Sequence, residues 1–306
     1  MSRRVEYNQF GGPEVLQIVR VEPPHPAAGE VRVRVLATAI NPFDAKVFRG
    51  MPTSNPQSVQ FPVGNGADFA GVIDALGEGV SAVGVGDTVM GSRMYFAQAD
   101  FVVIAANDVS PVPQGMTVEQ AGSLDTAGRT AWASVRSLHL GPDDVVLVSA
   151  AAGGVGVIAV QLALRTGATV IGSAGASNHE FLKNLGVIPV EYGAGLVDAV
   201  RAVAPQGITA ALDNFGHGFV EVALELGAPA ARVNTIADYD SPGKYGVGAV
   251  GAAGASIDDL RQLAQLIADG DVELPIDSVF PLERVAQAYD RLLAGHLRGK
   301  IVLVTQ

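Results

Sequence analysis

Hydrophobic and polar positions alternate along the first third of the chain, then give way to longer apolar runs. In Val31-Arg32-Val33-Arg34-Val35 every second residue is apolar, the period of a strand with one buried and one exposed face. Short segments of similar texture lie at Arg4–Tyr7, Leu16–Val21, Glu30–Ala39, Val72–Leu76, Thr88–Gly91 and Asp100–Ile104, separated by punctuation such as Gly11-Gly12-Pro13 and Pro23-Pro24. That spacing predicts a mostly β, barrel-like region. A helix is predicted over Val118–Leu138. After it strands and helices alternate: Val145–Ser149, Val157–Thr166, Thr169–Ser173, Asn178–Leu185, Val187–Val190, Leu196–Ala204, Ala210–Asn214, Phe219–Leu226, Ala231–Ile236 and Ser256–Gly270. This is the α/β pattern of a doubly wound parallel sheet. The tail differs again, with a strand around Ile276–Phe280, a helix Leu282–Ala294 and a terminal strand Lys300–Thr305, and is expected to return to the first region.

The organising stretch is Val145–Gly156, VVLVSAAAGGVG. Five apolar or small residues read as a buried parallel strand, a turn of small residues follows, and a helix with an apolar face begins. Ala151, Gly153 and Gly156 take the three positions of the dinucleotide fingerprint as A-x-G-x-x-G, so the turn Ala151, Gly153, Gly154, Val155 and Gly156 is the expected cofactor loop of a Rossmann domain. Gly153 lets the backbone approach a pyrophosphate, Gly156 lets the helix pack closely, and the helix N-terminus offers unpaired N–H groups. A tight strand-to-helix turn without a ligand is the plainer alternative.

Composition narrows the class. A chain of 306 residues with 48% hydrophobic and 17% charged residues is long enough for two packed domains. A formal net charge of −11 argues against nucleic acid or an anionic membrane as partner. There is no cysteine, hence no disulfide and no thiolate metal site. No apolar run reads as a signal peptide or a membrane span, and a cytoplasmic protein is expected.

Several motifs, in order along nearly the whole chain, carry a family resemblance. They are Phe10–Leu16 (FGGPEVL), Ile40–Lys46 (INPFDAK), Gly66–Ile73 (GADFAGVI), the GEGV and VGVGDTV segments before Met90, Thr126–Trp132 (TAGRTAW), SAAAGGVG, and Arg298–Val304 (RGKIVLV). Together they resemble the zinc-independent quinone oxidoreductase branch of the medium-chain dehydrogenase/reductase family. The resemblance implies a GroES-like catalytic barrel at 1–121 and 272–306, a Rossmann NADP(H)-binding domain at 122–271, and commonly a homodimer.

The zinc-using relatives of that family would have a Cys where Asn41 stands and a His where Ala67 stands; both are missing, and the five histidines are scattered. No metal site is expected. An NAD-specific site wants an acid about twenty residues past the fingerprint, yet no Asp or Glu lies between Asp144 and Glu180. Ser173 and Ser177 are available to bond a 2′-phosphate, and Tyr192 matches a tyrosine that lines that pocket in the family. NADP(H) is the expected cofactor, although the family often has a Lys near Ser177.

Asn41, with Pro42 and Asp44, makes a helix N-cap, and by resemblance it also lies beside the nicotinamide and substrate. Lys46 is either a solvated lysine or a donor to developing enolate charge. Thr130 is either a mid-helix Thr bonded to its own turn or, by resemblance, a contact of the nicotinamide. Asp68 is a buried carboxylate or a turn residue. Asp213 and Asn214 end a strand at the edge where α/β ligands bind; Asn214 is expected to touch cofactor through its backbone and Asp213 to cap a helix. The expected activity is hydride transfer from NADPH to a quinone or an α,β-unsaturated carbonyl. A non-catalytic NADPH-binding redox sensor and an enoyl-thioester reductase are the alternatives, the latter lacking a basic strip for its carrier.

Overall fold

The alternating segment becomes the longest strand of the molecule, and the first region wraps around it. The computed structural model describes residues 1–51 and 60–305. In chain order the region contains β1 (Ser2–Tyr7), β2 (Gln17–Val21), β3 (Glu30–Ile40), α1 (Pro42–Phe48), β4 (Val63–Gly64), β5 (Asp68–Leu76), β6 (Thr88–Ser92), β7 (Phe101–Ala105) and β8 (Ser110–Pro111). Val31, Val33 and Val35 are buried, while Arg32 on the opposite face pairs with Asp74 at 2.8 Å. β3 pairs antiparallel with both β5 and β7, and its inward valines pack with Phe69, Ile73 and Ile104.

Two helices, α2 (Val118–Ala121) and α3 (Asp125–Ser137), replace the single one expected over Val118–Leu138. The break follows from packing. Gly122 passes so close to β3 that a Cβ would lie 2.6 Å from the Ala37 carbonyl oxygen, and the chain turns there.

The second region runs β9 (Val145–Val148), α4 (Gly154–Leu164), β10 (Thr169–Ser173), α5 (His179–Asn184), β11 (Ile188–Val190), α6 (Leu196–Val203), β12 (Ala210–Asp213), α7 (Phe219–Glu225), β13 (Val233–Thr235), α8 (Ser241–Tyr245) and α9 (Ile257–Ala268). Its five strands are parallel in the order β11-β10-β9-β12-β13. One face is covered by α3, α4 and α9 and the other by α6 and α7. Burial on both faces is why Val146, Leu147 and Val148 show no polar alternation. This is the doubly wound Rossmann plan expected from the sequence.

The tail consists of β14 (Ile276–Pro281), a 3₁₀ turn Leu282–Arg284, α10 (Val285–Leu293) and β15 (Lys300–Val304). β15 lies antiparallel on β3, with Ile301 opposite Ile40, and parallel to β14. It thereby completes the seven-stranded sheet of the GroES-like region. On its way into β15 the chain touches the other region: the Gly299 amide donates to the Ala152 carbonyl at 2.8 Å. No helix among the described residues is long and apolar enough to cross a membrane.

Candidate functional site

The fingerprint loop is shaped by what cannot carry a side chain. A Cβ on Gly156 would lie 2.1 Å from the Ala150 carbonyl oxygen, so the close approach expected at this glycine is to the loop's own backbone. At Gly153 the nearest atom to a Cβ is the Ala150 oxygen at 3.3 Å, which leaves that side open to a ligand. Ala150 itself has φ +48°, an unusual conformation for a residue with a side chain. Ala151, in place of the first fingerprint glycine, is fully buried and is accommodated by Gly172 on β10, where a Cβ would come 2.7 Å from the alanine methyl. The helix starts at Gly154, three residues before the sequence pattern places it, because the N-cap Gly153 is extended. Among the described residues no side chain caps this end and no acid stands in its first turn; the Gly154 amide faces the Gly299 carbonyl across the Gly153–Gly299 bridge, and the amides of Val155 and Gly156 are left without an intrahelical partner. Such a terminus suits a pyrophosphate.

Beside the loop lies a buried polar chain that the sequence does not reveal. Asn41 caps α1, and its amide donates to Asp44 Oδ2 at 2.9 Å. Its side chain is committed elsewhere: Nδ2 donates to Asp68 Oδ2 at 3.0 Å and Oδ1 accepts from Lys300 Nζ at 2.5 Å. Asp68 is fully buried and its other oxygen accepts from the amide of Thr126, at 2.9 Å, and from its hydroxyl. Lys300 opens β15, and its stem lies against α4, where a Cβ on Gly154 would meet its Cδ at 2.6 Å. One lysine thus joins Asn41 to the fingerprint helix. Burial drives the Lys300 ammonium toward its neutral form, against the pull of Asp68 and Asp44. Burial also pushes Asp44 up to about 7, helped by the charge of Asp68 and resisted by the Asn41 amide. Asp125 rises to about 7 by burial and the same Asp68 charge.

Lys46 points across the cleft. Its Nζ is 3.3 Å from the Tyr239 hydroxyl and 4.9 Å from the centre of that ring, and Tyr239 follows β13. Thr130 is buried one turn after Thr126 on α3, but it is Thr126 whose hydroxyl joins the polar chain. Asp213 does not cap a helix. Its Oδ1 accepts from Ser149 Oγ at 3.0 Å and from the amides of Phe215 and Gly216, and its Oδ2 accepts from Thr235 Oγ1. It therefore ties together the carboxyl ends of β9, β12 and β13. The Asn214 amide donates to Ser149 Oγ at 2.7 Å and its side chain to the Ser149 carbonyl, so its oxygens and the second side-chain N–H remain for a ligand.

At the end of β10, Ser173 is buried, and its carbonyl receives the Ala151 amide. Ser177 is exposed and Tyr192 half-exposed. The Tyr192 hydroxyl is 3.1 Å from His296 Nδ1, with the two rings stacked. Arg298 lies over the Phe181 ring and donates to Asn178 Oδ1 at 2.9 Å and to the Ser177 carbonyl. A cavity of about 380 Å³ opens here between Ser177, Asn178, Asp277, His296 and Arg298. His296 is one of five scattered histidines and Arg298 opens the Arg298–Val304 motif, but nothing local in the sequence ties either to this loop. Among the described residues no three His, Asp or Glu side chains converge as metal ligands.

Comparison with known proteins agrees with this arrangement. Residues 27–154 match the family described as alcohol dehydrogenase GroES-like domain, and 190–303 the one described as zinc-binding dehydrogenase. The human synaptic vesicle membrane protein VAT-1 homolog is 31% identical over 334 residues, covering 96% of this chain and 84% of that protein. The quinone oxidoreductase from Coxiella burnetii has a TM-score of 0.88 at 28% identity, covering 100% of this chain and 99% of that one. The Escherichia coli quinone oxidoreductase complexed with NADPH gives 0.87 at 26% identity over 99% of each chain. Matched along its length in sequence and in both halves of its fold, the chain belongs to the quinone oxidoreductase-like members of the medium-chain dehydrogenase/reductase superfamily.

Proposed function

We propose that this protein is an NADPH-dependent oxidoreductase that passes hydride to a quinone or to the β-carbon of an α,β-unsaturated carbonyl, without zinc. The observation that carries the reading is the Lys300–Asn41–Asp68 chain. It holds Asn41, which by resemblance stands where a zinc ligand would, and links it through Lys300 to the fingerprint helix. Asn41 is held at both ends of its amide, Ala67 is apolar and buried, and the chain has no cysteine.

The residues present fit a dinucleotide. The open side of Gly153 and the free amides of Val155 and Gly156 suit its pyrophosphate, and the absence of an acid from 145 to 179 leaves the end of β10 tolerant of a 2′-phosphate. Ser173, Ser177 and Tyr192 are assigned to that end, Ala151 to the loop's floor, and Asn214 to the facing edge. When bound, the cofactor supplies the hydride chemistry. The protein orients the reactants and excludes water. Addition of hydride to an enone leaves negative charge on the carbonyl oxygen. Lys46 Nζ, turning from Tyr239, is the donor assigned to that oxygen, and solvent returns the proton to carbon. We assign Thr130 to the nicotinamide side, by resemblance. We assign 1–121 with 272–306 to the catalytic unit and 122–271 to the cofactor unit, and a homodimer to the assembly.

The test is NADPH oxidation followed by absorbance, against a panel of quinones and 2-alkenals with NADH as control. Turnover with NADPH that falls in Lys46→Ala supports the reading. Tight NADPH binding without turnover on any acceptor replaces it with a non-catalytic NADPH-binding protein.

A further inference from the structure

We propose that Tyr239 is the catalytic acid of this site: its hydroxyl donates to the acceptor's oxygen and passes it a proton as hydride reaches carbon. This inference rests on the hydride-transfer reading above and adds to it the source of the first proton. An acid at the cleft needs a proton that no other bond holds. The Thr126 hydroxyl and Asn41 Nδ2 already donate to Asp68, and the Ser149 and Thr235 hydroxyls donate to Asp213. Tyr239 differs. Among the described residues its hydroxyl has one hydrogen-bond partner, Lys46 Nζ at 3.3 Å. An ammonium has no lone pair, so the phenol oxygen accepts in that bond and its own hydrogen stays uncommitted.

The loop after β13 fixes the backbone on both sides of this residue. The Asp238 amide donates to Thr235 Oγ1 at 3.0 Å. Asp238 Oδ1 accepts from the amides of Asp240, at 3.0 Å, and Ser241, at 3.1 Å, and its Oδ2 accepts from Ser241 Oγ at 2.7 Å. Thr235 is in turn bonded to Asp213, which ties the strand ends together. The neighbours of Tyr239 are thus held while Tyr239 itself is 39% exposed, the preorganisation that a catalytic donor requires. Lys46 comes from α1 on the opposite wall, with its Nζ 4.9 Å from the centre of the ring. Phenol and cation therefore meet where the acceptor's oxygen is assigned.

The step balances in atoms and electrons. Hydride carries its electron pair to the β-carbon, a C–H bond forms there, and the displaced π pair ends on the carbonyl oxygen. The Tyr239 O–H bond breaks and the O–H bond of an enol forms. The phenolate left behind lies beside the Lys46 ammonium, which offsets its charge, and within reach of the water that returns its proton. The nicotinamide is oxidised by two electrons, the acceptor is reduced by two, and solvent converts the enol to the saturated carbonyl. A quinone gains aromaticity as it takes hydride, so its transition state comes earlier and places less charge on oxygen. It therefore depends less on the acid.

The experiment uses the full chain. NADPH oxidation is followed with a 2-alkenal and with a quinone. Binding of 4-nitrophenolate, an oxyanion with no reactive alkene, is followed by its absorbance, with nitrobenzene as the neutral control. Tyr239→Phe is expected to lower kcat on the alkenal about 100-fold with KM within about twofold, and kcat on the quinone only about threefold. It binds 4-nitrophenolate about tenfold more weakly and nitrobenzene as before. NADPH affinity by calorimetry stays within about twofold, which shows that the variant is folded. Because both groups act on one oxygen, Lys46→Ala combined with Tyr239→Phe loses less than the product of the single losses. An unchanged kcat on the alkenal, an equal loss on both acceptors, or a rise in KM alone overturns the proposal while the hydride-transfer reading stands. A wild-type chain that oxidises NADPH with neither acceptor overturns both.

Discussion

Two groups of polar residues flank the fingerprint loop, and they are built differently. At one end Lys300, Asn41 and Asp68 are buried and each is paired with another. At the other, Ser177, Tyr192, His296 and Arg298 are exposed or half-exposed, and they bond through rings, carbonyls and hydroxyls. A buried charge without its partner is costly, so the first group is rigid and its geometry is fixed before any ligand arrives. A solvated cation costs little to leave waiting, so the second group is free to respond to the presence of one phosphate. Geometry is fixed at the dry end and left open to solvent at the wet one.

The sharpest way to break this contrast is to remove one member from each side. Lys300→Met leaves Asp68 and the Asn41 oxygen without a cation and is expected to lower stability by about 3 kcal/mol. Arg298→Ala is expected to change it by about 0.5 kcal/mol or less. Denaturant unfolding of both checks the pair, and equal losses would erase the distinction.

The dry end also has a pH signature. Asp44 and Asp125 rise to about 7, so the fold keeps protons that the unfolded chain gives up near pH 4. The native state then binds more protons through that window, and stability falls as pH rises from about 4 to about 7. Asp44→Asn removes one such group and takes about 4 kcal/mol out of the change in stability across the window, read from unfolding midpoints at a series of pH values. A slope unaltered by both Asp44→Asn and Asp125→Asn would count against burial as its cause.

Between the ends, Ala151 and Gly172 share one space. Gly172→Ala is expected to cost about 1–3 kcal/mol through overpacking against Ala151 and Val187, and Ala151→Gly in the same chain to return only the Ala151 part of it. The smallest effect is expected at the cleft mouth. Lys46→Ala should reduce kcat about tenfold on acceptors, with an unfolding midpoint close to wild type.

Much of the fold is legible in the sequence because burial on one face or two leaves a local period. Val31–Val35 alternates since β3 faces solvent on one side, and Val145–Val148 does not since helices cover both. The turn Ala151–Gly156 is legible for a related reason: its small residues are demanded by backbone contacts within a few positions. The missing acid after β10 and the Asn41-Pro42 helix start are likewise local.

What the pattern could not supply is any partner distant along the chain. Gly122 splits a helix because of Ala37, which the apolar period of 118–138 does not encode. Thr126, rather than Thr130, reaches Asp68 because of how α3 docks on β5. Lys300 meets Asn41 across 259 residues and His296 meets Tyr192 across 104. Both meetings exist because β15 inserts beside β3 and carries residues 296–300 past the fingerprint loop. Sequence by itself determined which segments are strands and helices, where a dinucleotide would lie and what its loop can bear, since those depend on neighbours in the chain. Only the tertiary structure decided which cations stand beside that loop, because their position is a property of how the tail closes the sheet.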